Sequence, residues 1–247
     1  MPHSSPIALR ALAVDYSDSD TVFEGYAVAP CHASTPLPCI VLAHDWSGLT
    51  TPTVRLAERY AGLGYVCVAI DAYGKGVRGD PSGDNTALME PLMRDRALLR
   101  RRLLAGFEAA RALAGVDPAR MAAVGYCFGG LCALDLARAA PANLRASVSF
   151  HGVLQAPDAA PSARIDASVL LLHGWDDPVA PPADVLAITR ELTRAGADWQ
   201  LHAYGHAQHA FTFKDAAFPE RGIVYDRSAD KRSWAAMRAH LAEAFRR

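Results

Sequence analysis

The sequence has few of the features that would tie it to a membrane, a nucleic acid or a secreted location. No apolar run among its 247 residues approaches the roughly 20 residues that a membrane-spanning helix needs, so no membrane partner is expected. Its 25 Lys and Arg residues are matched by 26 Asp and Glu residues, and a formal net charge of −1 gives no reason to expect nucleic acid as a partner. The N-terminal residues lack the basic and apolar segments of a secretory signal, which predicts a cytoplasmic location.

Cysteine is scarce too, and its placement argues against a disulfide framework. The count of five is odd, and Cys67, Cys127 and Cys132 fall within segments that are predicted to form the core. Free thiols in a reducing compartment are therefore expected. Cys31 and Cys39, which flank a proline-rich loop, are the one pairing that the sequence leaves open. The chain also has no cofactor motif, so no cofactor is predicted, and no oligomeric state is assigned.

Apolar residues, in contrast, make up 51% of the chain, which is enough for one domain spanning residues 1–247 around a substantial core. Short apolar runs alternate with longer amphipathic segments, a pattern typical of a doubly wound, mostly parallel sheet with helices on both faces. The pattern predicts an N-terminal hairpin of strands at 7–14 and 21–29, further strands at 39–43, 65–70, 121–124, 146–150, 169–173 and 199–204, and helices at 53–62, 92–114, after residue 130, and at 182–195 and 230–245.

The sharpest predicted turn is Gly125-Tyr126-Cys127-Phe128-Gly129, between a strand and a helix. A strand that turns at once into a helix needs small residues two before and two after the apex, and Gly-x-nucleophile-x-Gly supplies them. Unpaired N–H groups at a helix N-terminus favour a thiolate at Cys127, and the N–H of Phe128 would point at an oxyanion formed beside the sulfur. The alternative is a small buried cysteine in a glycine-rich turn, without chemistry.

A cysteine nucleophile needs a base, and the base needs an acid that fixes its tautomer. In doubly wound hydrolases the order along the chain is nucleophile, acid, histidine. Asp177 follows the strand at 169–173 and is the predicted acid, with Asp176 as the alternative. His209 follows the last strand and is the predicted base, with His206 as the alternative.

A zinc site is another possible interpretation of the histidines near the C-terminus. Their spacing fits a set of metal ligands, but a strand followed by a loop would not aim all three side chains inward. No cysteine or carboxylate cluster completes such a site, so no metal is predicted. The three residues concerned are His202, His206 and His209.

At five places the sequence resembles the dienelactone hydrolases of the α/β-hydrolase superfamily. The resemblance implies the α/β-hydrolase fold, with Cys127 as nucleophile, Asp177 as acid and His209 as base. It also assigns the second oxyanion donor to the N–H of Trp46. The matching stretches are His44-Asp45-Trp46-Ser47-Gly48, Asp71-Ala72-Tyr73-Gly74-Lys75-Gly76, Gly125-Tyr126-Cys127-Phe128-Gly129-Gly130, His173-Gly174-Trp175-Asp176-Asp177-Pro178 and His209-Ala210-Phe211-Thr212.

Asp45 stands where the best-known members of that family carry Glu. By the resemblance it is a partner for the resting thiol. A carboxylate beside Cys127 would oppose thiolate formation and so counteract the helix dipole. The alternative is that Asp45 only shapes the turn.

The residues expected to contact substrate depart from the family pattern. Enzymes of the family that cleave dienelactone hold its carboxylate with arginines, one of them four residues beyond the base, where this sequence has Phe213. An apolar pocket that is less selective for anions is therefore expected, with His151, Phe211 and Phe213 as candidate substrate-binding residues. The cations that remain as alternatives for a substrate carboxylate are Lys75, Arg78 and Lys214.

Taken together, these features predict an enzyme that hydrolyses small carboxylic esters or lactones through an acyl-cysteine intermediate, with a small molecule as its substrate. A thioesterase or general carboxylesterase on the same fold is the first alternative. The second is a non-catalytic ligand-binding or redox-sensing protein, in which Cys127 binds a ligand or is oxidised without turnover. The presence of both Asp177 and His209 at triad positions favours the enzyme.

Overall fold

The structure is a computed structural model that describes residues 7–157 and 164–246. Residues 1–6 begin the N-terminal segment in which no secretory signal is predicted, and they lie outside the described residues. The strands are β1 (Leu9–Asp18), β2 (Thr21–Pro30), β3 (Leu37–Ala43), β4 (Val66–Ile70), β5 (Val116–Tyr126), β6 (Leu144–Phe150), β7 (Ser168–Gly174), β8 (Trp199–Tyr204), β9 (Ala217–Phe218) and β10 (Ile223–Val224). The helices are α1 (Thr51–Ala61), α2 (Thr86–Arg94), α3 (Arg96–Arg111), α4 (Phe128–Ala139), α5 (Pro182–Arg194) and α6 (Arg227–Ala244), with a 3₁₀ turn at Pro219–Arg221.

One eight-stranded sheet carries the fold, in the order β1-β2-β4-β3-β5-β6-β7-β8. The β1–β2 and β2–β4 pairs are antiparallel, and every later pair is parallel. Parallel strands joined by helices put all their carboxyl ends at one edge of the sheet. The predicted doubly wound, mostly parallel sheet with an N-terminal hairpin is confirmed.

Helices cover both faces of the sheet and bury its apolar strands. On one face, α1 and α6 contribute Tyr60, Met237 and Leu241 to a buried cluster with Ile40 and Leu42 of β3. On the other face, α3, α4 and α5 pack buried leucines and an isoleucine against the sheet, and this cluster is the larger one. Burial on both faces explains why the central strands are continuous apolar runs rather than alternating ones.

The N-terminal hairpin is longer than the sequence pattern predicted. The two strands stay paired from Leu9 opposite Pro30 to Asp18 opposite Thr21, so only Ser19 and Asp20 form the turn. In the sequence, residues 15–18 indicated a turn. In the structure they continue β1, and their side chains alternate between exposed and half-buried. Ser19 takes a positive φ of 52°, which a two-residue hairpin turn requires.

The prediction of one long helix at 92–114 is wrong. The segment forms two helices, α2 and α3, which are separated at Asp95. The backbone at Asp95 leaves the helical region (φ −111°, ψ 79°). Its carboxylate accepts a hydrogen bond from the N–H of Leu98 and so caps the N-terminus of α3. The apolar periodicity continues through this break, so periodicity alone did not reveal it. The first helix, α2, starts six residues before the predicted one.

The five cysteines are all free thiols, including Cys31 and Cys39, whose pairing had been left open. Cys39, Cys67 and Cys132 are buried, and burial raises the pKa of each of these three thiols. Thiols held in this way are inert. Within the described ranges, no helix combines the length and the apolar character that crossing a membrane requires.

Candidate active site

The candidate site lies at the edge of the sheet where the parallel strands end. Cys127 directly follows β5, His151 follows β6, and Asp177 lies three residues beyond β7. The loop after β8 brings His209 to the same edge. Neighbouring strands, and not neighbours in sequence, therefore assemble the site, as expected for a parallel sheet.

Cys127 occupies a strained turn between β5 and α4. Its φ of 55° and ψ of −119° are unusual for a residue with a side chain, and they project the sulfur away from the sheet. A Cβ placed on Gly125 would lie 1.8 Å from the carbonyl oxygen of Gly129, and one placed on Gly129 would lie 2.3 Å from that of Ala43. The predicted need for glycine on both sides of the apex is therefore a direct consequence of backbone contact.

The structure brings the three predicted triad residues together. The Sγ of Cys127 lies 3.1 Å from Nε2 of His209, and Nδ1 of His209 lies 2.8 Å from Oδ2 of Asp177. The other carboxylate oxygen of Asp177 accepts a hydrogen bond of 2.8 Å from the N–H of Val179. Both Asp177 and His209 are buried, whereas Cys127 is half-buried and reachable from solvent.

The electrostatics of this arrangement favour a charged imidazole. Burial by itself lowers the pKa of His209, but the negative charges of Cys127 and Asp177, together with hydrogen bonds to both, outweigh it and raise that pKa to about 10. A cationic His209, with its Nε2 3.1 Å from the sulfur of Cys127, is placed to stabilise a negative charge that develops on that sulfur.

The alternative acid and base lie outside this site. His206 and Asp176 form a pair with each other at the surface, with Nδ1 and Oδ2 3.6 Å apart and the histidine side chain 99% exposed. His202 is exposed on β8, so it does not join His206 and His209 around one point. In the part of the chain that is described, no group of three His, Cys, Asp or Glu side chains is arranged to hold a metal ion.

Two backbone N–H groups, one just beyond the end of β3 and one at the start of α4, are available as hydrogen-bond donors. Within the described residues, neither the N–H of Trp46 nor that of Phe128 donates a hydrogen bond. Gly129 packs against the backbone of Ala43 and His44, which brings the end of β3 and the start of α4 into contact. Free donors on two adjoining segments are the arrangement that an oxyanion hole requires.

Asp45 binds its own turn. Its Oδ1 accepts hydrogen bonds from both the N–H (2.7 Å) and the hydroxyl (2.6 Å) of Ser47. Among the described residues it makes no hydrogen bond to Cys127. These contacts match the alternative that Asp45 shapes the turn, while its predicted role as a partner of the thiol stays a prediction.

The three predicted substrate-binding residues form an aromatic cluster that contacts the base through His151. The His151 ring stands edge-on to those of His209, Phe211 and Phe213, with centroid distances of 5.3, 5.1 and 5.1 Å. Of the three, His151 and Phe211 are fully buried, and only Phe213 is partly exposed. Nε2 of His151 lies 2.8 Å from the hydroxyl of Thr212, which ties β6 to the loop of the base.

Two of the cations considered for a substrate carboxylate are engaged elsewhere. Lys75 binds Asp15 of the hairpin at 2.6 Å and lies 3.6 Å from Glu24. Arg78 lies 3.5 Å from the buried Asp71 and also binds two backbone carbonyls of its own loop. Lys214 is exposed to solvent. The structure therefore gives Lys75 and Arg78 structural partners.

Sequence reasoning missed two features that hold the site in place. The backbone of His209 is bridged to the short strand β10, because its N–H donates to Gly222 and its carbonyl accepts from Val224. On the opposite side, the Tyr73 hydroxyl donates to the carbonyl of Trp46 at 2.9 Å. Tyr73 belongs to a stretch already singled out by resemblance, which was its only sequence signal, whereas nothing in the sequence indicated β10.

The sheet order, the strained turn and the chain order of the three polar residues define the α/β-hydrolase class. Within that class, the sequence pattern of the dienelactone hydrolase family matches residues 23–245. The chain belongs to the dienelactone hydrolase family and is a hydrolase, as the sequence resemblance predicted.

Individual relatives agree with this placement. A crystal structure of a dienelactone hydrolase-like promiscuous phosphotriesterase from metagenomic libraries is 36% identical, with a TM-score of 0.90 over 96% of this chain and 99% of that one. A putative carboxymethylenebutenolidase of Aquifex aeolicus is 25% identical over 90% of this chain and 93% of its own. A probable 2-oxo-3-(5-oxofuran-2-ylidene)propanoate lactonase of Bradyrhizobium is 27% identical over 86% of this chain and 90% of its own.

Proposed function

We propose that this protein hydrolyses small carboxylic esters or lactones through an acyl-cysteine intermediate. The observation that carries the proposal is the continuous contact from Cys127 Sγ to His209 Nε2 (3.1 Å) and from His209 Nδ1 to Asp177 Oδ2 (2.8 Å). The names of two relatives, a carboxymethylenebutenolidase and a lactonase, support the same class of substrate.

The reaction follows from the positions of these groups. The Cys127 thiolate attacks the carbonyl carbon, and the N–H groups of Trp46 and Phe128 bind the oxyanion that forms. The intermediate collapses as the C–O bond breaks, and His209 gives its proton from Nε2 to the leaving alkoxide. His209 then takes a proton from water, the resulting hydroxide attacks the thioester, and the C–S bond breaks to restore the thiolate. Asp177 keeps the proton of the imidazole ring on Nδ1 throughout.

Uncharged acyl groups are the substrates that this site favours. Lys75 and Arg78 bind carboxylates of the protein itself, and Phe213 replaces one of the arginines found in family members that cleave dienelactone. We therefore expect a lower KM for a neutral lactone than for one that carries a carboxylate. A small-molecule substrate and a cytoplasmic location remain part of the proposal.

Two cysteine variants test the mechanism. Cys127→Ala removes the nucleophile and is expected to abolish turnover of an aryl acetate, whereas Cys132→Ala alters a buried thiol and is expected to retain it. Mass spectrometry of the unaltered protein quenched during turnover should find the acyl group on Cys127. Equal activity in the two variants would reject the assignment. Acylation in a single burst with no further turnover would instead favour the non-catalytic alternative.

A second candidate activity is attack on phosphotriesters. It is suggested by the relative described as a promiscuous phosphotriesterase, which is 36% identical over nearly the whole chain. The same thiolate would attack the phosphorus atom and displace the aryl oxide as the P–O bond breaks, with the same N–H donors bound to the phosphoryl oxygen, and water would then release the phosphoryl group from the sulfur. Initial rates on an aryl dialkyl phosphate, an aryl acetate, an acyl thioester and a five-membered enol lactone would rank the candidates, including the thioesterase alternative.

A further inference from the structure

We propose that His44 is a positioning residue that orients the oxyanion-binding N–H of Trp46. This inference rests on the proposed function, because it assigns a purpose to a side chain that only an oxyanion hole would need. His44 directly follows β3 and is 2% exposed. Among the described residues, its ring makes no hydrogen bond to Cys127, Asp177 or His209. Its ring nitrogens both bind backbone groups, one on each side of the ring.

The first contact fixes the peptide unit that carries the donor. Nδ1 of His44 lies 2.6 Å from the carbonyl oxygen of Asp45. That carbonyl and the N–H of Trp46 belong to the same planar peptide unit and point in opposite directions. Holding the carbonyl therefore sets the direction of the N–H, and a hydrogen bond to the carbonyl also polarises the unit and strengthens its donor.

The second contact fixes the tautomer of His44. The N–H of Ala72, two residues beyond β4, donates to Nε2 at 3.1 Å, so Nε2 carries no proton. The proton of the neutral ring must then lie on Nδ1, where it is donated to Asp45. Burial lowers the pKa of His44, which keeps the ring neutral and preserves Nε2 as an acceptor.

The surroundings hold the ring in this orientation. The ring of Tyr73 lies 4.7 Å from it and the ring of Phe128 6.2 Å, so the side chain of the second oxyanion residue is part of the same packing. Tyr73 also donates to the carbonyl of Trp46, which fixes the next peptide unit. The N–H of Gly48 makes a longer contact of 3.2 Å with the Asp45 carbonyl, so the loop keeps one anchor when His44 is changed.

Two substitutions separate the two ring nitrogens. In His44→Asn the side-chain amide lies near the place of Nδ1 and can still donate to the carbonyl of Asp45. In His44→Gln the amide oxygen lies near the place of Nε2 and can accept from Ala72, but the donor to Asp45 is lost. Both variants are first checked for unchanged thermal unfolding, so that a folding defect is not mistaken for an effect on rate.

The readouts separate the oxyanion hole from the triad. Alkylation of Cys127 by iodoacetamide needs the thiolate but forms no oxyanion, so its rate should stay unchanged in both variants. Acylation by an aryl acetate does form an oxyanion. The acylation rate should fall at least about tenfold in His44→Gln, which is less than the roughly 10²- to 10³-fold loss when a whole donor is removed. In His44→Asn the acylation rate should fall little. Unchanged acylation in His44→Gln, or a loss in His44→Asn, overturns the inference.

A measurement on the unaltered protein keeps the test decisive if His44→Gln does not fold. Long-range ¹H–¹⁵N correlation spectra of the histidine rings should show His44 as the Nδ1–H tautomer, and the Nε2–H tautomer would overturn the inference. The Cys127→Ala variant distinguishes a failure of the proposed function from a failure of the role inferred for His44. If it keeps full activity, the proposed function fails and takes this inference with it; if it is inactive, the His44 results bear on the inference alone.

Discussion

Replacement of Asp177 by asparagine tests the electrostatic reasoning most directly. The N–H of Val179 donates to Oδ1 of Asp177 at 2.8 Å, and this donor remains in the variant. The introduced amide must therefore keep its oxygen toward Val179 and turn its NH₂ group toward Nδ1 of His209, which lies 2.8 Å from the present Oδ2. An NH₂ group facing Nδ1 forces the ring proton onto Nε2, where it points at the sulfur.

The consequence for Cys127 can be estimated. His209 loses the charge and the hydrogen bond that help to raise its pKa to about 10, and its Nε2 no longer accepts a proton from the thiol. An ordinary cysteine thiol is ionised to only about one part in 300 at pH 6. Alkylation of the variant at pH 6 is therefore expected to be about two orders of magnitude slower than alkylation of the unaltered protein.

The assay is the rate of iodoacetamide modification of Cys127 as a function of pH, followed by mass spectrometry. Because His209 is protonated at pH 6 and lies beside the sulfur, the unaltered protein should react faster there than Asp177→Asn, which should approach that rate only at higher pH. The ester hydrolysis of Asp177→Asn should fall by about 10⁴-fold, as in serine protease triads.

The neighbouring Asp176 provides a matched control. Its side chain is about half exposed and pairs only loosely with His206 at 3.6 Å. Asp176→Asn should therefore leave both the alkylation profile and the hydrolysis rate unchanged. If the two variants behave alike, or if the unaltered protein alkylates no faster at pH 6 than Asp177→Asn does, the ion-pair reasoning is refuted.

Three further predictions concern stability and substrate charge. Asp135 is 6% exposed and binds Arg96 and Arg138, so Asp135→Asn should lower the free energy of unfolding by about 3–5 kcal/mol in urea titrations, whereas the same change at the 75%-exposed Asp166 should cost little. Gly129→Ala places a Cβ 2.3 Å from a carbonyl oxygen and should prevent soluble expression, while Gly205→Ala, with nothing within 4 Å, should not. Lys75→Ala should leave KM for a carboxylate-bearing lactone unchanged, and a marked rise in KM would show that Lys75 binds substrate.

Sequence alone determined the layered architecture and the turn at Cys127. Apolar runs separated by amphipathic segments favour a parallel sheet covered on both faces. Each strand of the eight-stranded sheet was predicted near its observed position, whereas the short strands β9 and β10 were not predicted. The glycines of the turn could be read in the same way, because their spacing reflects contact between atoms only a few residues apart. Constraints of this kind depend on residues that are close together in the chain.

Only the tertiary structure decided contacts between residues that are distant in the chain. Sequence could rank Asp177 over Asp176, but only packing showed that one is buried against His209 and the other faces solvent. The break at Asp95 depends on a local capping bond that competes with an uninterrupted apolar pattern, so periodicity could not reveal it. His44 looks like an ordinary polar residue after a strand until Ala72, twenty-eight positions later, donates to its ring and fixes its proton. Side-chain direction, burial and tautomer arise from such long-range contacts, and for that reason they could not be derived from the order of residues.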